Sequence, residues 1–100
     1  MLRIKITRNG DYVKKITFTG HADYSSYGQD IVCAACSATM LCTVNGILSI
    51  NNQAIEVFSG DDKQVINVLS TDSITIKLMD NMIGCFESLE AKYPKNIKLK

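Results

Sequence analysis

The N-terminal twenty residues predict a β-hairpin, and this hairpin restricts the fold more than any other feature. Leu2, Ile4 and Ile6 alternate with polar residues, which is the period-two pattern of a strand with one buried face. Residues 9–11, Asn-Gly-Asp, are a turn signal, and residues 12–20 return as a second strand. The apolar face of such a hairpin requires a second layer of structure to cover it.

Helix and strand patterns alternate along the rest of the chain. A helix begins after Asp30, a good N-cap, and reaches Gly46 or a few residues beyond. A second begins after Asp72 or Ser73 and ends before Pro94. Further strand patterns cover residues 54–58, 65–69 and, more briefly, 96–99. The order ββαββα, with a possible short last strand, predicts an α+β two-layer sandwich: a mainly antiparallel sheet with two helices on one face.

We expect the apolar sides of both helices to meet the sheet. The expected stripe of the first helix contains Ile31, Val32, Ala34, Ala35, Ala38, Leu41, Cys42 and Asn45. That of the second contains Leu78, Met79, Met82, Ile83, Phe86 and Leu89. The length predicts one domain over residues 1–100. Two helices this apolar in so short a chain also leave surface for a homodimer.

Composition limits the classes of partner. The 11 basic and 10 acidic residues give a net charge of +1, which argues against nucleic-acid binding driven by bulk charge. The N-terminal residues alternate instead of forming a signal peptide, and we expect that no window approaches the apolar length of a membrane span. We therefore expect a cytoplasmic protein with no membrane segment, whose four cysteines are free thiols.

One histidine and one cysteine form the candidate active site. His21, the only histidine, lies at the end of the second strand, and Cys33 lies in the first turn of the first helix. A helix N-terminus stabilises a thiolate, and an imidazole supplies a base, so the pair suits nucleophilic catalysis. The backbone N–H groups of Cys33 or Ala34 are the expected donors to an oxyanion.

Asp30 has two interpretations. As an N-cap its carboxylate accepts a hydrogen bond from the N–H of Cys33, and as a third catalytic residue it orients His21. One carboxylate is poorly placed to do both. The sequence favours the cap, because capping needs only local geometry.

Residues 22–29 predict a mobile, polar loop over the site. Tyr24 and Tyr27 are either lid residues that cover an apolar substrate or simply exposed loop aromatics, and Gly28 belongs to the same expected substrate loop.

The other cysteines leave a second chemistry open. Cys33 and Cys36 form a Cys-Ala-Ala-Cys sequence, which is also found in dithiol redox proteins. The βαβ context of those proteins is absent, and the cysteine spacing does not fit a zinc site. We therefore expect no metal and no organic cofactor, and we expect Cys36, Cys42 and Cys85 to pack as apolar residues.

Gly20-His21-Ala22, then Gly28, residues 30–35 (Asp-Ile-Val-Cys-Ala-Ala) and Ser37-Ala38 closely resemble the motif of the ribosomal-processing cysteine protease family, Prp. The resemblance implies that Cys33 is the nucleophile and His21 its base, in a small α+β sandwich that is usually a homodimer. It also implies a substrate: the N-terminal extension of a large-subunit ribosomal protein, number twenty-seven, cut after a phenylalanine in an apolar motif. Cys36 departs from the family, which often has an apolar residue such as valine there.

Two other hypotheses remain open beside the protease. One is a non-catalytic ribosome-associated or assembly module, in which Cys33 reacts with thiol reagents no faster than other exposed thiols. The other is a thiol redox switch, in which activity depends on Cys36.

Overall fold

The computed structural model describes residues 1–25 and 30–100. Their elements are β1 (Leu2–Asn9), β2 (Tyr12–Thr19), α1 (Ile31–Ile50), β3 (Ile55–Ser59), β4 (Lys63–Val68), α2 (Ser73–Lys92) and β5 (Ile97–Leu99). This confirms the predicted α+β order, including the short last strand.

The five strands form one sheet in the order β3-β4-β2-β1-β5. Every neighbouring pair is antiparallel except β1 and β5, which run parallel, so the sheet is mixed but mainly antiparallel. The helices pack against each other and against the strands. Both therefore lie on one face of the sheet, and the other face is open to solvent.

A β-bulge adjusts the hairpin to its core. Thr7 pairs with Lys15 but Arg8 pairs with Val13, so Lys14 is an extra residue on β2. The insertion changes the phase of the strand's alternation. Val13 thereby faces the same side as Ile16, and both are buried.

Helix α2 has the inward face that its sequence predicts. The buried residues of this helix are Thr75, Met79, Met82, Ile83 and Phe86. The Phe86 ring meets that of Phe18 on β2 edge-to-face, with centroids 5.5 Å apart, an arrangement that aromatic pairs prefer. The helix therefore joins the sheet through its most apolar stripe.

Helix α1 turns a different face inward from the one expected. The residues that it buries are Val32, Cys36, Val44 and Ile47. Most of the expected stripe is on the outside: Ile31, Ala34, Ala38, Leu41, Cys42 and Asn45 are exposed. The prediction was wrong because residues 31–50 contain no charged side chain. When a helix is apolar around its whole circumference, the apolar period does not identify which face is buried.

The extra length of α1 also overturns the expectation that no segment reaches the apolar length of a membrane span. The helix continues past Gly46 to Ile50, and by length and composition it is long and apolar enough to cross a membrane. Such evidence is weak by itself, because core helices pass the same test. Here α1 packs on α2 and β3.

Candidate active site

His21 follows the end of β2, where Gly20 makes a turn that only glycine tolerates. Gly20 has φ +79°, and a Cβ there would lie 2.5 Å from the carbonyl oxygen of Met1. Its N–H donates to the carbonyl oxygen of Asp62, in the turn between β3 and β4, at 3.3 Å. The backbone before His21 is thereby tied to the neighbouring β-turn.

The residue after His21 is fixed as well. Ala22 is completely buried, and its carbonyl accepts a hydrogen bond of 2.9 Å from Nδ2 of Asn96. The expectation of a mobile loop over residues 22–29 was therefore wrong at its first residue, which belongs to the core. His21 itself remains exposed between two anchored neighbours.

The predicted substrate loop is described only in part. Tyr27 and Gly28 lie outside the described residues. The Tyr24 ring packs edge-to-face on Tyr93 at the end of α2, with centroids 5.4 Å apart. Its backbone N–H donates to Oδ2 of Asp30 at 2.9 Å. Tyr24 thus contacts the domain beside the start of α1.

Asp30 is the N-cap of α1. Its Oδ1 accepts a hydrogen bond of 2.9 Å from the N–H of Cys33, the third helical residue. Burial opposes the charged form of this carboxyl, but backbone hydrogen bonds, first that of Cys33 and then that of Tyr24, outweigh it and lower the pKa of Asp30. Asp30 thus fixes the turn that carries Cys33.

The same cap changes the expected oxyanion site. The N–H of Cys33 donates to the Asp30 carboxylate, and the N–H of Ala34 donates to the Asp30 carbonyl at 3.0 Å. Both N–H groups that are expected to hold the oxyanion therefore already have acceptors in this conformation. An oxyanion at the Cys33 N–H requires the Asp30 carboxylate to release it.

His21 and Cys33 line one cavity of about 260 Å³. Its apolar wall contains Leu2, Phe18 and Met40. A second depression, on the side of Asp30, has His21 and Cys33 on its lining as well. The hydrogen bonds within residues 1–25 and 30–100 include none between His21 and Cys33, as is common for catalytic pairs without substrate.

A carboxylate that sequence reasoning missed lies beside His21. Oδ1 of Asp62 is 3.5 Å from Nε2 of His21, and both side chains are largely exposed. Only strand pairing brings them together: Thr19 pairs with Lys63, so the residues just beyond that pair meet. A prediction that β2 pairs with β4 in this register would have placed Asp62 beside His21.

The remaining cysteines separate into two environments. Cys36, one turn after Cys33, is buried, and burial raises the pKa of its thiol to about 11, with the negative charges of Cys33 and Asp30 adding to the effect. Cys42 and Cys85 are exposed, so the prediction that they pack in the core was wrong. Both lie on outward faces of their helices.

The sequence matches one protein family over nearly its whole length. Residues 1–98 match the family described as cysteine protease Prp. The chain belongs to the Prp cysteine protease family. It is therefore a cysteine protease.

Curated Prp proteins are similar over their full length. The ribosomal processing cysteine protease Prp of Staphylococcus aureus (strain NCTC 8325 / PS 47) is 29% identical over 103 residues, which cover 99% of this chain and 97% of the relative. That of Bacillus subtilis (strain 168) is 25% identical over 107 residues, covering 99% and 96%.

Solved Prp structures have the same fold. The S. aureus Prp in complex with a covalently linked product peptide superposes with a TM-score of 0.94 at 28% identity, covering 100% of this chain and 98% of that one. The S. aureus Prp in complex with a substrate peptide gives a TM-score of 0.87 over the same shares. This Prp family member therefore has the same fold as S. aureus Prp, which has been solved with bound peptides.

Proposed function

We propose that this enzyme removes the N-terminal extension of a large-subunit ribosomal protein, number twenty-seven, by cutting after a phenylalanine in an apolar motif. One observation carries the proposal: the only histidine and a cysteine in the first turn of a helix line the same cavity. The ribosomal processing role of the S. aureus and B. subtilis relatives supports the substrate class.

In this proposal Cys33 and His21 act as a catalytic dyad. The Cys33 thiol transfers its proton to His21, and the sulfur attacks the scissile carbonyl carbon. The tetrahedral intermediate then expels the leaving amine, which takes the proton from His21. Water, deprotonated by His21, hydrolyses the resulting thioester and releases Cys33. No metal or organic cofactor takes part in these steps.

The position of Cys33 suits a nucleophile. As the third residue of α1 it lies at the positive end of the helix dipole. Cys36 lines the same cavity but is buried, and burial raises the pKa of its thiol to about 11, which holds it protonated. One turn of helix thus separates a nucleophile from a packing residue, which disfavours a redox switch through the Cys33–Cys36 pair.

The cavity wall supports the preference for phenylalanine. Leu2 and Phe18 belong to the buried core, and Met40 packs against it. Together they offer an apolar surface within the cavity that Cys33 also lines. An aromatic side chain gains the most from such a surface, because it has the largest apolar area to bury.

Asp62 serves as a positioning residue for His21. Because both side chains are largely exposed, we expect the contact between them to be weak. We expect Asp62→Asn to lower kcat by about two- to fivefold with KM unchanged, and Asp62→Glu to restore part of the loss. A change in KM alone assigns Asp62 to substrate binding instead.

Peptide cleavage tests the whole proposal. The substrate is a synthetic peptide with the N-terminal extension, its phenylalanine and the residues that follow, and mass spectrometry identifies the cut. The unchanged protein should cut after the phenylalanine, whereas Cys33→Ala and His21→Ala should not. Cys42→Ala, which removes an exposed thiol from the same helix, is the matched control and should retain cleavage. Cleavage by Cys33→Ala, or a cut elsewhere in the peptide, contradicts the proposal.

We also propose that residues 1–100 act as one protease domain in a cytoplasmic homodimer. The exposed, uncharged stripe of α1 around Ala38, Leu41 and Cys42 offers the interface. Sedimentation should give a dimer that Leu41→Glu disrupts, while Lys77→Glu, an exposed change on α2, does not. Cell fractionation tests the location, since recovery with membranes contradicts it.

A further inference from the structure

The face of the sheet that the helices do not cover is strongly basic. Strand register places one set of alternate residues on this open face. It consists of Lys98 on β5; Arg3, Lys5 and Thr7 on β1; Lys15, Thr17 and Thr19 on β2; Lys63, Val65 and Asn67 on β4; and Glu56 and Phe58 on β3. The chain's near-neutral net charge of +1 conceals this segregation.

The positive charge of the open face is offset by a single acidic side chain. Its five cationic side chains are all exposed, and Glu56 is its one acidic residue. Within the described residues, the ion pairs join the Met1 amine to Asp23, Arg8 to Asp80 and His21 to Asp62, so none neutralises the open face. A field of one sign spread over the face of a sheet attracts a polyanion.

The spacing and chemistry of the face fit an extended polymer. Neighbouring strands lie about 4.8 Å apart, and alternate residues of a strand about 6.8 Å, so the cations form a grid. Threonine and asparagine side chains lie between them and supply hydrogen-bonding groups. Phe58 is 55% exposed and shares a row with Val65, Thr17 and Lys5, where a base can stack on it.

The open face meets the active site at one row. Thr19 pairs with Lys63, and the chain continues from Thr19 through Gly20 to His21. Lys63 also lines the cavity that contains Cys33. A polymer that follows the grid of cations therefore passes beside the edge where peptide is cut.

We propose that the open face binds single-stranded RNA. The cations hold the phosphates, Phe58 stacks on a base, and the threonine and asparagine side chains reach the 2′-hydroxyls. Binding is separate from peptide cleavage at Cys33, so it goes beyond the proposed function. The choice of RNA over DNA rests on the ribosomal substrate of that function.

Two matched triple variants test the proposal by fluorescence anisotropy with a labelled single-stranded RNA of about 12 nucleotides. Lys5→Gln/Lys15→Gln/Lys98→Gln removes three charges from the open face. Lys77→Gln/Lys92→Gln/Lys95→Gln removes three exposed charges outside it. We expect the first triple variant to weaken RNA binding by at least about tenfold. The slope of the logarithm of the association constant against the logarithm of salt concentration should become shallower by about 2. The second should retain binding within about twofold.

Phe58→Ser is an independent test, since it removes no charge; it should weaken binding by at least about fivefold. Peptide cleavage by both triple variants should equal that of the unchanged protein, which separates failure of RNA binding from failure of the proposed function. Equal weakening by the two triples overturns the proposal. Equal or tighter binding of single-stranded DNA of the same sequence also overturns it. A protein that binds phosphatidylglycerol vesicles or polyglutamate but does not bind RNA overturns it as well.

Discussion

The two long helices begin with the same cap and use it differently. Each has 20 residues, and each starts after an aspartate whose carboxylate accepts a hydrogen bond of 2.9 Å from the third helical N–H. At α2 that third residue is Thr75, whose hydroxyl also donates to Asp72 at 2.8 Å. At α1 it is Cys33, which lines a cavity.

The difference lies in what surrounds the third side chain of each helix. Thr75 is buried, and its hydroxyl closes the cap, so the start of α2 is complete in itself. Cys33 is only half-buried and lies beside His21 along the same cavity. The cap orients the backbone in both helices, and under the proposed function the side chain at the third position makes one helix start structural and the other reactive.

Exchanging the third residues gives the largest expected effect. Cys33→Thr makes the α1 cap a copy of the α2 cap, and a hydroxyl there lacks thiolate character. We expect kcat/KM for the peptide to fall by at least about 1,000-fold, measured as initial rates, with the melting temperature nearly unchanged. Thr75→Cys is the reciprocal control and should leave kcat/KM intact. Substantial cleavage by Cys33→Thr would show that the two helix starts do not differ in the way described.

Removing each cap separates stability from activity. Asp30→Ala and Asp72→Ala should both lower the melting temperature, each by about 4–8 °C, because each leaves a third-position N–H without its acceptor. Only Asp30→Ala should also lower kcat/KM, since it releases the turn that carries Cys33. Calorimetry and peptide assays on the pair decide this. If both variants lose activity equally, the α1 cap has no special role in catalysis.

The Asp72 cap should make stability depend on acid pH. Hydrogen bonds from the Ser70 hydroxyl and then from the Thr75 N–H hold the pKa of Asp72 at about 2, below its ordinary value. A carboxyl whose folded pKa is depressed stabilises the fold above its unfolded pKa, and this contribution is lost as pH falls through the folded value. Relative to Asp72→Asn, which caps without titrating, the protein should lose stability between about pH 4 and pH 2.

Melting curves at several pH values measure this difference between the protein and Asp72→Asn. If the difference in melting temperature stays constant across the pH range, titration of the Asp72 carboxylate does not cause the loss of stability in acid.

The smallest effect is expected one turn beyond the α1 cap. Cys36→Val replaces a buried thiol with an apolar residue of similar shape, so kcat/KM should change by less than about threefold. Iodoacetamide at neutral pH should label Cys42 and Cys85, which are exposed, before Cys36. If Cys36→Val loses activity while its fold stays intact, the result supports a dithiol mechanism. Cys36 would then be a reactive thiol like Cys33 and not only a packing residue.

Local signals made much of this molecule predictable. The Asn-Gly turn predicted the hairpin, and the aspartates before each apolar run predicted the helix starts, because turns and caps depend on a few adjacent residues. The inward face of α2 was predictable too, since charged and apolar residues alternate with helical period there. Periodicity is informative only where polar residues mark the other side.

The sequence by itself therefore determined the elements, their order and the pairing of a histidine at a strand end with a cysteine at a helix start. Tertiary structure alone decided which face of the uncharged helix α1 is buried, because apolar side chains surround this helix and several of its faces could pack in a core. It also decided that Asp62, 41 residues from His21, lies beside it, and that five cations gather on one surface of a nearly neutral chain. Strand register sets both, and register depends on contacts between segments that are distant in the sequence.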